Sequence, residues 1–307
     1  MIALLAPGQG SQAPGMLAPW LELPGTAKRL AEWSEVTGLD LVRLGTTADA
    51  DEIKDTAITQ PLIVATTLLA CHELRTRTEI PDDVVVAGHS IGEFAAAAIA
   101  GVLTEHDALA LAAIRGREMA TACELEPTGM AALVRGTEEG TLARLAELGL
   151  VPANRNGAGQ IVAAGSAAAI EKLVAEPPAD TKVIVLKVAG AFHTHYMAPA
   201  QDALRTHAAT IAAPADPTRT LLSNRDGAVV TDGADVLARL IDQVTNPVRW
   251  DLCMASMAKL GVDTVIEFPP AGALIGLAKR ELKGAHIVGM KTPEILDSVT
   301  ELIGSTA

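Results

Sequence analysis

The sequence predicts an α/β protein: a large subdomain on a mainly parallel sheet with a nucleophile elbow, and a small ferredoxin-like (βαββαβ) subdomain inserted into it. Three observations carry this reading. Short apolar runs alternate with helix-length segments, the rhythm of parallel strands joined by crossover helices. The stretch VVVAGHSIGEFAAAAIAG, residues 84–101, passes from a β-branched run through a glycine-flanked turn into an alanine-rich run. Between Pro127 and Gly190 the order of elements changes to β-α-β-β-α-β. The large subdomain is therefore expected over 1–126 and 190–307, and the small one over 127–189.

Taken in order, the buried strands of the large subdomain are expected at 2–6, 84–87, 220–223 and 264–268, each a short run rich in Val, Ile, Leu or Ala. Residues 61–75 have helical length, and Pro61 suits a first helical position because proline lacks the N–H that is unpaired there. Thr104 has the form of an N-cap for the helix that follows. Within the insertion, strands are expected at 130–134, 151–154, 160–164 and 182–188, with helices at 138–148 and 167–175. The tail after Lys291 reads as a short helix with a frayed end. An inserted unit of this kind makes a cleft against its host, where ligands tend to bind.

Composition narrows the function classes. The 307-residue chain is 49% hydrophobic but only 2% aromatic, so its core is built from small aliphatic side chains. A net charge of −13 argues against a nucleic-acid partner, which needs a basic face to neutralise phosphates. Cys71, Cys123 and Cys253 are far apart without CxxC spacing, so neither a zinc site nor a disulfide framework is expected and a reducing compartment fits. The N-terminus has no basic leader, and the apolar run 94–103 is about half of the ~20 residues that span a bilayer. A cytoplasmic protein with no membrane partner, no metal and no bound cofactor is expected.

Gly88-His89-Ser90-Ile91-Gly92 is the sequence form of a nucleophile elbow, which is the α/β-hydrolase-like feature of the large subdomain. Glycines permit a sharp turn that presents Ser90 at a helix start, where unpaired N–H groups and the helix dipole stabilise an oxyanion. Such a serine needs a base. His89 should point away from the side chain beside it, while His72, His106, His207 and His286 read as surface or boundary residues. His193 and His195, in VAGAFHTHYM, lie just beyond the last strand of the insertion, at the cleft edge; the sequence alone does not choose between them. An α/β-hydrolase runs Ser, acid, His, with its histidine near the C-terminus. Here the histidine pair comes about a hundred residues after Ser90 with no acid prominent between, so a Ser-His dyad oriented by a carbonyl or amide is expected.

Several separated segments then share one resemblance. APGQGSQ at 6–12, GHSIGE at 88–93, Arg115, GAFH at 190–193 and NPVRW at 246–250 resemble the malonyl-CoA:acyl carrier protein transacylases, both the stand-alone bacterial enzymes of type II fatty-acid synthesis and the acyltransferase domains of polyketide synthases. The resemblance covers nearly the whole chain. It implies ping-pong transfer of malonyl from malonyl-CoA to Ser90 and on to the phosphopantetheine thiol of acyl carrier protein. It selects His193 over His195 as general base, assigns the backbone N–H groups of Gln9 and Ile91 to the oxyanion hole, and gives Gln243 a main-chain carbonyl that orients the histidine. Arg115 is implied to clamp the free malonyl carboxylate, a task that suits a planar guanidinium, while Arg117 reads as surface. Phe192 is implied to favour malonyl over methylmalonyl. Asn154, Asn156, Gln160 and His89 are implied as substrate-binding residues, and the stand-alone relatives imply a monomer. One departure is visible: EFPPAG at 267–272 stands where many relatives carry Gly-Pro-Gly.

Two rival readings share the elbow. A serine esterase or thioesterase would use water in place of the carrier thiol and leaves Arg115 without a task; a non-catalytic acyl-binding scaffold would form no adduct at Ser90. Because acyl carrier protein is acidic, a local basic patch is needed against the overall charge, and Lys279, Arg280 and Lys283 form the densest one.

Overall fold

The computed structural model describes residues 1–304. In chain order the strands are β1 (Ile2–Ala6), β2 (Val85–Gly88), β3 (Thr128–Arg135), β4 (Val151–Gly157), β5 (Gln160–Ser166), β6 (Thr181–Val185), β7 (Thr220–Leu222), β8 (Val229–Val230), β9 (Thr264–Glu267) and β10 (His286–Gly289). Six of them form one sheet, ordered β10-β9-β1-β2-β7-β8 and parallel except for the final β7–β8 pair. The other four form a separate antiparallel sheet, ordered β4-β5-β3-β6. Numbered within that unit, the order is second, third, first, fourth, which is the ferredoxin-like arrangement. The expected fold class is the observed one.

β1 is apolar throughout because both of its faces are covered. Ile2, Leu4 and Ala6 pack into the main core, whereas Ala3 and Leu5 pack on the opposite face with Trp250, Met254 and Leu277. The four-stranded sheet is likewise two-faced. Ala131, Leu133, Ile161 and Ala163 pack with Leu145, Ile170 and Leu173 of its own helices, Glu138–Glu147 and Ala167–Ala175. Met130, Ala132, Val162 and Ala164 turn toward the main core instead. Side chains alternate along a strand, so one strand both closes the small unit and lines the ground between the two sheets.

That junction is held by backbone pairing. Val248, inside NPVRW, forms a parallel bridge with Asn154 of β4; its N–H donates to the Ala153 carbonyl at 2.8 Å and its carbonyl accepts from the Arg155 N–H at 2.9 Å. The motif therefore fixes the edge of the small sheet against the large subdomain.

Several expectations need correction. Pro61 lies inside the helix Thr56–Arg75, not at its start, because the Asp55 carboxylate accepts from the Ala57 N–H at 2.8 Å and starts the helix earlier. That helix is long and apolar enough to cross a membrane by length and composition, but most of it is buried within this fold. The strand expected over 182–188 leaves the ladder after Val185, and Leu186 and Val188 turn toward the cleft instead. β10 was not anticipated: its residues are only partly buried and carry weak alternation, and its register against β9 is what makes it a strand. Thr104 caps the helix Glu105–Cys123 as expected, accepting from the Asp107 N–H at 3.0 Å. The tail forms the helix Leu296–Gly304; the frayed end expected beyond it lies outside the described residues. At the departing EFPPAG segment, Glu267 accepts from the N–H groups of Gly272, Leu274 and Ile275 at 2.9, 3.0 and 3.0 Å, anchoring the start of the helix Ala273–Glu281.

Candidate active site

Ser90 stands between β2 and the helix Gly92–Ile99 with φ of 53°, in the left-handed region. Its flanking glycines are there for space. A Cβ on Gly88 would sit 2.1 Å from the Gly92 carbonyl carbon, and one on Gly92 would sit 2.3 Å from the Ala6 carbonyl oxygen. Any side chain at either position forces the turn apart. The strain at Ser90 is held by Asn224, just beyond β7: its Oδ1 accepts the Ser90 N–H at 2.8 Å and its Nδ2 donates to the Gly88 carbonyl at 2.8 Å.

The serine meets one histidine. Ser90 Oγ lies 2.8 Å from His193 Nε2, and His193 Nδ1 lies 2.9 Å from the main-chain carbonyl of Gln243. A carbonyl can only accept, so Nδ1 carries the proton and Nε2 is left as acceptor for the serine hydroxyl. His193 also has a positive φ, 61°; serine and histidine alike are held in backbone conformations that a relaxed chain avoids. Burial, and then the nearby Arg115 cation, push the imidazole down to about 3, so it is neutral at physiological pH. His195 is exposed and stacks on Tyr196.

Arg115 projects from the helix Glu105–Cys123 and is 1% exposed. Its Nη1 donates to Gln60 Oε1 at 2.7 Å; its Nη2 donates to Gln243 Oε1 at 2.9 Å and reaches Ser90 Oγ at 3.3 Å. Its Nε has no partner among the described residues, and the guanidinium lies 5.8 Å from the centroid of the Phe94 ring. Among the described residues no carboxylate pairs with it directly, and burial lowers it to about 9. Arg117, two residues on, is exposed and pairs with Glu118.

Behind this group lies Glu93, 6% exposed. One carboxylate oxygen accepts the Asn224 N–H at 2.6 Å, and the other accepts from Gln243 Nε2, which also donates to the Ser90 carbonyl at 3.1 Å. Burial raises the carboxyl to about 8, opposed by these donors and by Arg115.

The remaining predicted residues gather in the cleft between the two sheets. Gln9, His89, Asn154, Asn156 and Phe192 line it with Ser90, Arg115 and His193, around a volume of about 170 Å³ that suits a short acyl group. His89 turns from Ser90 toward the small sheet, where its Nε2 lies 2.9 Å from Asn156 Oδ1 and its ring meets Trp250 edge-on. Gln160 does not line the cleft: its Oε1 accepts from Asn156 Nδ2 at 3.0 Å, so its side chain is taken up in holding Asn156. The backbone N–H groups of Gln9 and Ile91 donate to no described residue. The Ser90 N–H is already given to Asn224.

Sequence reasoning missed Gln60, Asn224 and Glu93, and it gave Gln243 a main-chain role alone, whereas its side chain joins Arg115, Glu93 and Ser90. Glu93 had a usable signal, being an acid set in the apolar run GEFAAAAIAG, where an ionisable group needs partners. Asn224 and Gln60 had none, because their partners are 134 and 55 positions away.

Comparison with known proteins places the chain in a family. The model of the acyl transferase domain family matches residues 4–302. Malonyl CoA-acyl carrier protein transacylase of Mycobacterium tuberculosis is 59% identical over 98% of this chain and 100% of its own length, and that of Escherichia coli is 32% identical over 98% and 99%. Among solved structures, MCAT from M. tuberculosis superposes with a TM-score of 0.94 at 58% identity, covering 97% of this chain and 99% of that one. An acyl-carrier-protein S-malonyltransferase from Burkholderia pseudomallei gives 0.91 at 32% identity, covering 98% and 99%. A serine in an elbow, a neutral histidine on its hydroxyl and a buried arginine beside both are thus set in a chain that belongs to the acyl transferase family, among the malonyl CoA-acyl carrier protein transacylases.

Proposed function

We propose that this protein transfers malonyl from malonyl-CoA to the phosphopantetheine thiol of acyl carrier protein in fatty-acid synthesis, by a ping-pong route through a malonyl ester of Ser90. The observation that carries the substrate assignment is Arg115: a buried guanidinium within 3.3 Å of the nucleophile, flanked by neutral amides and without a paired carboxylate among the described residues. Such a cation is a receptor for an acyl group that brings its own carboxylate.

In the first half-reaction Ser90 Oγ attacks the thioester carbonyl carbon while His193 Nε2 accepts the hydroxyl proton. The resulting oxyanion receives the N–H groups of Gln9 and Ile91, aided by the start of the helix Gly92–Ile99. When the tetrahedral intermediate collapses, the carbon–sulfur bond breaks and the proton passes from His193 to the departing coenzyme A thiolate. In the second half-reaction the carrier thiol gives its proton to His193, its sulfur attacks the ester, and Ser90 recovers a proton as leaving group. The main-chain carbonyl of Gln243 holds the imidazole tautomer throughout. Binding of the malonyl carboxylate at Arg115 neutralises one of the influences that depress His193, so the substrate itself makes the base stronger.

Phe192 restricts space beside the acyl group, where a single methyl is worth about 1–3 kcal/mol of selectivity. Asn154, Asn156 and His89 offer polar contacts from the small-sheet side, and Gln160 supports Asn156. The division into 1–126 with 190–307, and 127–189, is supported by the separation of the strands into two sheets. The basic cluster Lys279, Arg280 and Lys283 offers the carrier a local attraction. We place the enzyme in the cytoplasm as a monomer, with no cofactor beyond its coenzyme A thioester substrate.

Intact-protein mass after brief mixing with malonyl-CoA tests the reading. A malonyl adduct on the wild type, absent from Ser90→Ala and discharged by carrier protein, is the expected result. Rapid loss of the adduct to water would instead favour a hydrolase, and no adduct with any acyl-CoA would favour a scaffold. Arg115→Ala should lower the ratio of malonyl to acetyl transfer; equal loss of both would remove the carboxylate clamp.

A further inference from the structure

The buried cation faces two opposed demands. Without compensation, a guanidinium 1% exposed is costly to bury. With a carboxylate directly against it, its donors would be occupied and the substrate would have to displace an internal ion pair. The structure resolves this with one interposed amide. Gln243 presents Oε1 to Arg115 and Nε2 to Glu93, so a buried acid and a buried base are joined through a neutral side chain and do not touch.

The polarity of that amide is not symmetric. Arg115 has donors only, so the amide must show it oxygen. The other end, Nε2, then needs acceptors, and it finds Glu93 and the Ser90 carbonyl. Both Glu93 oxygens already take N–H donors, from Gln243 and from the Asn224 backbone, so no acceptor among these contacts faces a carboxyl proton and the geometry favours the carboxylate against its burial. The same Asn224 ties down the Ser90 N–H. One carboxylate thus touches the support of the nucleophile on one side and the support of the arginine on the other.

We propose that Glu93 is a positioning residue for substrate selection: it fixes the Gln243 amide with its oxygen on Arg115, compensating the guanidinium at one amide's remove so that its remaining donors stay open to the acyl carboxylate. Glu93 touches no substrate and acts through Gln243. This rests on the assignment of Arg115 to the malonyl carboxylate. Glu93→Gln keeps the shape but sets an NH2 group against either the Asn224 N–H or the Gln243 NH2. Turning Gln243 over relieves that conflict and places its NH2 against Arg115, which shifts the clamp.

The test is steady-state acylation with malonyl-CoA and with acetyl-CoA for wild type, Glu93→Gln, Gln243→Met, their double variant and Arg115→Ala. The ratio of malonyl to acetyl kcat/KM should fall roughly tenfold or more in Glu93→Gln, the scale of one hydrogen bond to a charged group, mainly through KM for malonyl-CoA. Gln243→Met should lower the ratio similarly, and the double variant should go no lower than the worse single, since all act through one contact. A ratio unchanged in Glu93→Gln, whatever the absolute rates, overturns the proposal, as do multiplicative losses in the double variant. Should Glu93→Gln not fold, Glu93→Asp, which shortens the reach to Gln243, must show the same fall, and an unchanged ratio there is equally fatal. If Arg115→Ala also keeps the wild-type ratio, the clamp assignment itself has failed; if Arg115→Ala loses the ratio while Glu93→Gln keeps it, only the role of Glu93 has.

Discussion

The two walls of the cleft differ in how their side chains are held. On the large-sheet wall, Ser90, His193, Arg115, Gln243, Glu93 and Asn224 are bound to one another, with Ser90 and His193 at positive φ. On the small-sheet wall, Met130, Val162, Leu186 and Val188 offer apolar surface, and the polar contribution is Asn154 with the Asn156–Gln160 pair. The first wall is over-determined, as reacting groups must be held close to their productive geometry. The second is shaped to fit. Substitutions that loosen Ser90 or His193 should therefore act on rate, whereas those at the Arg115–Gln243–Glu93 group and at the small-sheet wall should act on affinity for malonyl-CoA.

The largest effect is expected at His193. His193→Ala should lower acylation of Ser90 roughly 10²- to 10⁴-fold, the range of general acid–base catalysis, with a native circular dichroism spectrum; His195→Ala should be mild. The reverse order would break the assignment of the base. Next comes Asn224→Ala, which leaves the part-buried Ser90 N–H and the buried Gly88 carbonyl without this partner and should cost about 1–3 kcal/mol of stability, read as a lowered urea midpoint together with a lower kcat. A normal kcat there would show that the strained elbow holds without it. At the other wall, Asn154→Ala should raise KM for malonyl-CoA by less than about tenfold, one polar contact's worth, with kcat retained. A fall in kcat instead would erase the contrast between the walls.

Acidity tests the large-sheet wall as a whole. His193 is depressed to about 3 in the folded protein, below the ~6.5 of an unperturbed imidazole. The unfolded chain therefore binds the proton first, and the stability that neutral His193 contributes is present above about pH 6.5 and lost as pH falls toward 3. His193→Ala should flatten the acid side of the urea stability profile, and an unchanged acid limb would mean that other groups dominate it.

Much of the fold was legible in the chain because it rests on local chemistry. Short continuous apolar runs marked β1 and β2, the order β-α-β-β-α-β marked the small sheet, and GxSxG between a strand and a helix marked the elbow, since only glycine leaves room at positions 88 and 92. The boundaries that failed were those set by partners: Asp55 moved a helix start away from Pro61, and β9 made a strand of residues 286–289. The sequence alone could narrow the base to His193 or His195, since a two-residue spacing says nothing of which ring reaches Ser90. That choice, and the chain of contacts from Asn224 through Glu93 and Gln243 to Arg115, belong to tertiary structure, because they join residues on separate elements, most of them more than a hundred positions apart, whose buried polar groups can be satisfied only by one another.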